Sequence, residues 1–141
     1  MINDGLKMTG AVAIALNGEV VQEIPNLVVT AGKNFVASRM KDTTKAAMTH
    51  MAIGTNSTTA AVGQTALSAE VARGALTSTT VSNNTIAYVE TFAAGTGTGA
   101  IVEAGVFNAS SSGDMLCRTV FAVVNKGSAD AMTITWTITV S

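Results

Sequence analysis

From Met132 to Val140 the chain alternates a large apolar residue with a threonine, without a break: Met-Thr-Ile-Thr-Trp-Thr-Ile-Thr-Val. Successive side chains of a strand point to opposite faces, so this segment carries one apolar face and one threonine face. A helix would scatter both kinds around its circumference. A strand with a single apolar face lies in an antiparallel sheet that covers a second layer. The rest of the chain must supply both the strand's neighbours and that second layer.

Other segments have the same texture. Leu6 to Leu16 places Leu6, Met8, Val12, Ile14 and Leu16 on one parity and small or polar residues on the other. Asn17-Gly18 follows at once, a pair that tolerates the positive φ of a two-residue hairpin turn, and Glu19 to Ile24 reads as the return strand. Pro25 then interrupts pairing before a short apolar strand at Leu27-Val28-Val29. Ala31 to Met40 switches to helical spacing, with apolar residues at 31, 35, 36 and 40 and Thr30 as the expected N-cap. Beyond a polar loop at 41–45, Met48 to Gly54 reads as a strand and Thr55 to Gln64 as a Thr/Ala-rich loop. Ala66 to Gly74 is readable as either a helical turn or an extended crossing. A second hairpin is expected from Leu76–Val81 and Thr85–Phe92, and further strands at Ala100–Phe107 and Met115–Val124. The expected fold class is all-β: an antiparallel β-sandwich, jelly-roll-like, of eight or nine strands with one short inserted helix at about residues 31–40. One domain over residues 1–141 is expected, with Met1–Gly5 as an N-terminal arm that can cross to a neighbour.

Charged residues make up 12% of the chain, where an ordinary soluble domain carries roughly a quarter. The net charge is −1 and no basic run exists, which argues against nucleic acid or an anionic membrane as partner. No stretch approaches the length of apolar residues that spans a bilayer, and the first residues lack the basic-then-apolar form of a signal peptide. The expectation is a chain made in the cytoplasm and held in solution until it docks. A surface so poor in charge suits a protein whose faces end against other subunits.

Catalytic chemistry finds little material. His50 is the only histidine, so any His-based triad would depend on it and a two-His metal site within one chain is ruled out. Cys117 is the only cysteine, so no internal disulfide forms, and a lone strand cysteine usually behaves as a small buried hydrophobe. Gly95-Thr96-Gly97-Thr98-Gly99 lacks the spacing of a dinucleotide loop and the Gly-Lys-Ser/Thr of a phosphate loop, so it reads as an inter-strand connection. Glu90 and Glu103 stand out because each sits inside an otherwise apolar or small-residue strand, and Arg73 and Arg118 are their natural counter-ions. These four are the candidate subunit-contact or structural ion-pair residues. No catalytic residue, cofactor or metal is expected, and the chain reads as non-enzymatic.

Several segments resemble small bacteriophage virion structural proteins of the head decoration or cement type, with similarity to tail-fibre-associated domains. They are Asn26–Phe35, Met48–Thr55, Glu103–Asn108, Met115–Phe121 and Thr133–Ile138. All are strand and turn patterns, and none is an active-site motif. The resemblance implies a protein of the virion, made in the host bacterium, that binds the outer head surface and stabilises the shell. Its implied partners are further copies of itself, as a homotrimer at local threefold positions, and the major capsid protein or other virion proteins. A tail, neck or fibre-associated adaptor is the alternative. A carbohydrate-binding module is a further one, for which Trp136, Tyr88 and four phenylalanines are thin material.

Overall fold

The computed structural model describes residues 5–41 and 45–141. Among these described residues, two five-stranded antiparallel sheets and a single helix make up the fold. The strands are β1 (Met8–Leu16), β2 (Glu19–Pro25), β3 (Leu27–Val28), β4 (His50–Gly54), β5 (Glu70–Ala75), β6 (Ser78–Ser82), β7 (Thr85–Phe92), β8 (Gly99–Phe107), β9 (Met115–Lys126) and β10 (Met132–Val140). The helix α1 (Thr30–Arg39) follows β3. One sheet, A, runs β2-β1-β10-β7-β6, and the other, B, runs β3-β9-β8-β4-β5. The chain changes sheet at Asn26, where Pro25 ends β2, and again between β5 and β6, between β7 and β8, and between β9 and β10. The fold is an all-β sandwich.

The alternation seen in sequence becomes the core. In β10, Met132, Ile134, Trp136 and Ile138 are buried between the sheets, against Val12 and Ile14 of β1, while the intervening threonines face outward. Sheet B supplies the opposing layer through Met51, Ile53, Ala104, Val106, Cys117 and Phe121. Burial of this apolar surface is the main favourable term, at roughly 25 cal/mol per Å². Asn17 (φ 51) and Gly18 (φ 82) both take the left-handed conformation in the β1–β2 turn, as the Asn-Gly pair predicts. Asp130 joins this turn to the β9–β10 turn: its carboxylate accepts from Asn17 Nδ2 at 2.9 Å and from the Gly127 N–H at 2.7 Å.

Four details differ from the sequence expectation. The first strand starts at Met8, not Leu6, and Leu6 is exposed. Residues 66–74 resolve into a bend followed by β5, so the undecided segment is mostly extended. Among the described residues ten strands form, because that segment adds one. Thr30 is the first residue of α1 and not its N-cap; Val29 holds the cap position with an extended backbone, and no side chain caps the helix. The Thr30 N–H instead donates to the Val62 carbonyl at 2.7 Å, so the loop after β4 supplies the partner a cap would have given. Of the proposed N-terminal arm, Met1–Asp4 lie outside the described residues, as do residues 42–44 of the polar loop.

Candidate functional site

The two outer faces of the sandwich are built in opposite ways. On sheet B, residues 55–69 cross the outer face as a long strap without strand or helix. Unbroken loops of this length are uncommon in compact domains, and this one is tied down from below. Glu103 of β8 and Arg118 of β9 lie beneath it, both with side chains 0% exposed, paired at 3.0 Å. The Glu103 carboxylate also accepts the backbone N–H groups of Asn56 (3.0 Å), Ser68 (3.0 Å) and Ala69 (2.9 Å). Arg118 donates to the Thr58 carbonyl at 2.8 Å and to Gln64 Oε1 at 3.1 Å. The pair thus holds both ends of the strap, and Leu67 closes a small apolar cluster with Val29, Ala52, Phe107 and Met115. With both charges paired and their remaining valences met, the burial cost is offset within one chain.

The other two candidates go elsewhere. Arg73 does not serve Glu90: its guanidinium forks onto Glu70 at 2.7 and 3.0 Å and donates to the Ala109 and Ser112 carbonyls at 3.0 and 2.9 Å. It also stacks over the Phe107 ring, 3.8 Å from the centroid, and so fastens the β8–β9 loop. The reason is parity: Arg73 points to the outer face of sheet B, whereas Glu90 points inward from sheet A. Glu90 sits against Gly74, where an added Cβ would meet its carboxylate, and accepts from Thr77 Oγ1 (2.9 Å) and the Thr91 N–H (2.8 Å). Lys126, which sequence reasoning passed over, is fully buried and donates to the Ala93 carbonyl at 2.9 Å, steadying the start of the glycine-rich connection. Its signal was weak, because it stands at the end of a long strand where a lysine normally reaches solvent.

The remaining singled-out groups are structural in placement. Gly95, Gly97 and Gly99 all have positive φ and join β7 to β8; a Cβ on Gly97 would meet Ile53 Cδ1 at 2.6 Å. His50 is half-buried on β4, with Nδ1 at 2.7 Å from Thr49 Oγ1. Among the described residues no cluster of His, Cys, Asp and Glu suits a metal, and no helix is long and apolar enough to cross a membrane.

Cys117 is buried at the centre of the core, and burial pushes its thiol far above the ordinary value, only partly offset by the Asn26 amide beside it. Burial likewise raises the Tyr88 hydroxyl to about 12, with the Cys117 charge adding to the effect. Both groups hold their protons more tightly in the folded than in the unfolded chain. Their contribution to stability is therefore complete below the free values of 9.0 and 10.0 and is lost as pH rises through the folded ones. The urea midpoint is expected to fall as pH rises above about 9, and Tyr88→Phe to reduce the part of that fall above about pH 10. Native Cys117 should stay unreactive to thiol reagents until the chain unfolds.

Among the described residues, none crosses the outer face of sheet A. Register places Ala13, Thr135, Val89 and Ser78 in one row across β1, β10, β7 and β6. The next rows are Ala11, Thr137, Ala87 and Thr80, then Thr9, Thr139, Thr85 and Ser82. Across these four strands the rows carry no charge and no aromatic ring; on the edge strand β2, exposed Glu23 stands opposite Ala13 and bounds the first row, and Thr91 and Thr133 bond to each other at 2.8 Å in the row alongside. Strand and pleat spacings make the face about 15 Å across and about 20 Å long. It is flat at the level of side chains because nearly all are Ala, Ser or Thr. The sequence showed the threonine row of β10, but not the matching rows that register sets beside it.

Searches of protein-family models, curated proteins and solved structures find no match to this chain.

Proposed function

We propose that this chain is a non-enzymatic bacteriophage virion structural protein, most concretely a head decoration (cement) protein that docks on the shell through the bare face of sheet A. The observation that carries this reading is the contrast between the two outer faces. One is covered by a strap that hides the paired charges of Glu103 and Arg118 beneath it, and the other, across β1, β10, β7 and β6, is an uncovered, uncharged array of small side chains bounded by Glu23 on β2. The array on these four strands desolvates at low cost, since it holds no ion, and it can approach a flat partner closely along its length. Binding to the assembled shell and not to free capsid subunits then stabilises the shell by mass action. In this reading the chain works as a homotrimer on local threefold positions, with the major capsid protein beneath, and no cofactor takes part. The glycan-module alternative is disfavoured by burial: all six aromatic side chains, Phe35, Tyr88, Phe92, Phe107, Phe121 and Trp136, lie in the interior, so none offers a stacking platform.

The test is rebinding to phage heads stripped of this protein. Wild-type chain is expected to return at many copies per head. Thr137→Arg, which places a charge at the centre of the face without touching the core, is expected to reduce occupancy at least tenfold while its melting temperature stays within a degree or two. Rebinding at a few copies confined to one vertex would move the protein to the tail or neck.

A further inference from the structure

Each sheet has two edge strands, and unpaired edges invite pairing with another chain unless they are blunted. Three of the four are. Strand β2 carries Glu19 and Glu23, ends on Pro25, and meets β1 across a register shift at Ile14/Ala15. The β3 edge is only two residues long. Strand β5 carries Glu70 and Arg73 and has its own register shift at Ile53/Gly54.

Strand β6 has none of these devices. It reads Ser-Thr-Thr-Val-Ser, with no charge and no proline, and it pairs with β7 without a register shift. Every one of its residues is exposed, and among the described residues no strand pairs with its outer edge. Val81 is 69% exposed, although its parity is that of the core-facing residues of sheet A. Ser, Thr and Val on a pleated edge are good strand formers, and a neutral edge is the one kind that meets its own copy without like charges in contact.

We propose that β6 is a self-pairing edge: two copies join antiparallel about a two-fold axis at Thr80, and the two A sheets become one ten-stranded sheet. In that register Thr80 faces Thr80 of the second copy, Thr79 faces its Val81, and Ser78 faces its Ser82. Each Val81 gains a cross-strand neighbour in place of solvent, and the uncharged outer rows run on from one copy into the next. The contact is isologous and closes on itself. It stands whether the chain coats a head or not, and where the threefold form of the proposed function exists, it links such trimers in pairs.

The experiment uses the free chain, with no phage particle present. Light scattering coupled to size-exclusion chromatography should give an even multiple of the 14.3 kDa chain mass. Thr80→Lys, which sets two ammonium groups face to face, should halve that mass, and mixing it with Thr80→Glu should restore it. Register is read by cross-linking under oxidised glutathione. Thr80→Cys should give a covalent dimer, because directly opposed Cα atoms sit at about 4.5–5.5 Å, within disulfide reach. Thr79→Cys should not, its symmetry mate being about 8 Å away. A monomer, or a trimer whose mass Thr80→Lys leaves unchanged, would overturn the pairing, and the trimer would leave the decoration reading standing. A Thr80→Cys chain that never cross-links would overturn it as well.

Discussion

Arg118→Ala should destabilise the fold by about 3–5 kcal/mol, because it leaves the Glu103 carboxylate buried without its counter-charge. For a chain of this size that corresponds to a fall in melting temperature of about 10 °C or more. Glu103→Gln should cost less than Glu103→Ala, since an amide oxygen can still accept from part of the strap. The strap distinguishes this pair from an ordinary buried ion pair. Replacing both members with apolar residues of similar size is often harmless elsewhere. Here the double variant Glu103→Leu/Arg118→Met would leave the N–H groups of Asn56, Ser68 and Ala69 and the Thr58 carbonyl without their partners. Stability should therefore stay low in the double variant, and limited proteolysis should cut between residues 55 and 69 in all of these variants before it cuts elsewhere. Recovery of wild-type stability in the double variant would mean that the strap is held by Leu67 and its neighbours alone.

Legibility in the sequence followed how one-sided each segment is. Strands β10 and β1 were readable because one face meets the core and the other meets solvent, so burial and alternation coincide. Strand β5 was not, because Arg73 lies flat against Phe107 on its outer side and Gly74 makes room for Glu90 on its inner side. Neither contact follows an apolar period. The two glutamates and two arginines were visible as charges in unusual places, yet their pairing depended on which face each side chain takes once the sheets pack. Glu103 and Arg118 share a face, being carried on adjacent strands with Gly105 opposite Arg118 and Val120 opposite Glu103. Glu90 belongs to the other sheet. The bare face of sheet A is likewise a product of register: each strand shows its own small residues, but only pairing lines them up. Gly10 repeats the lesson, for nothing in its neighbours explains a glycine within a strand. In the fold, the Asn26 amide occupies the place of its missing side chain at the crossing from one sheet to the other.

Gly32→Ala should also be costly, and in the direction opposite to helix propensity. Alanine is preferred over glycine inside a helix by about 0.8–1.0 kcal/mol, so on an exposed helix face the change would stabilise. Gly32 is buried, and a Cβ there would run into the Leu116 carbonyl of β9, with the carbonyl carbon at 2.7 Å and Cα at 2.9 Å. Those are backbone atoms of a sheet strand, at the register shift near the start of β9, and they cannot rotate aside as a side chain would. The helix itself must lift. Lifting it strains the bonds from the Val29 N–H to the Leu116 carbonyl and from the Thr30 N–H to the Val62 carbonyl, and it opens the packing of Phe35. Overpacking of this kind costs about 1–3 kcal/mol net, at the upper end where backbone must move. Asn34→Ala is the matching control: Asn34 is exposed on the same helix, so its replacement should raise stability by a few tenths of a kcal/mol through propensity alone. Urea denaturation of the two variants side by side should therefore shift the midpoint in opposite directions. Shifts in the same upward direction would mean that α1 does not pack on β9 as closely as the Gly32–Leu116 approach requires.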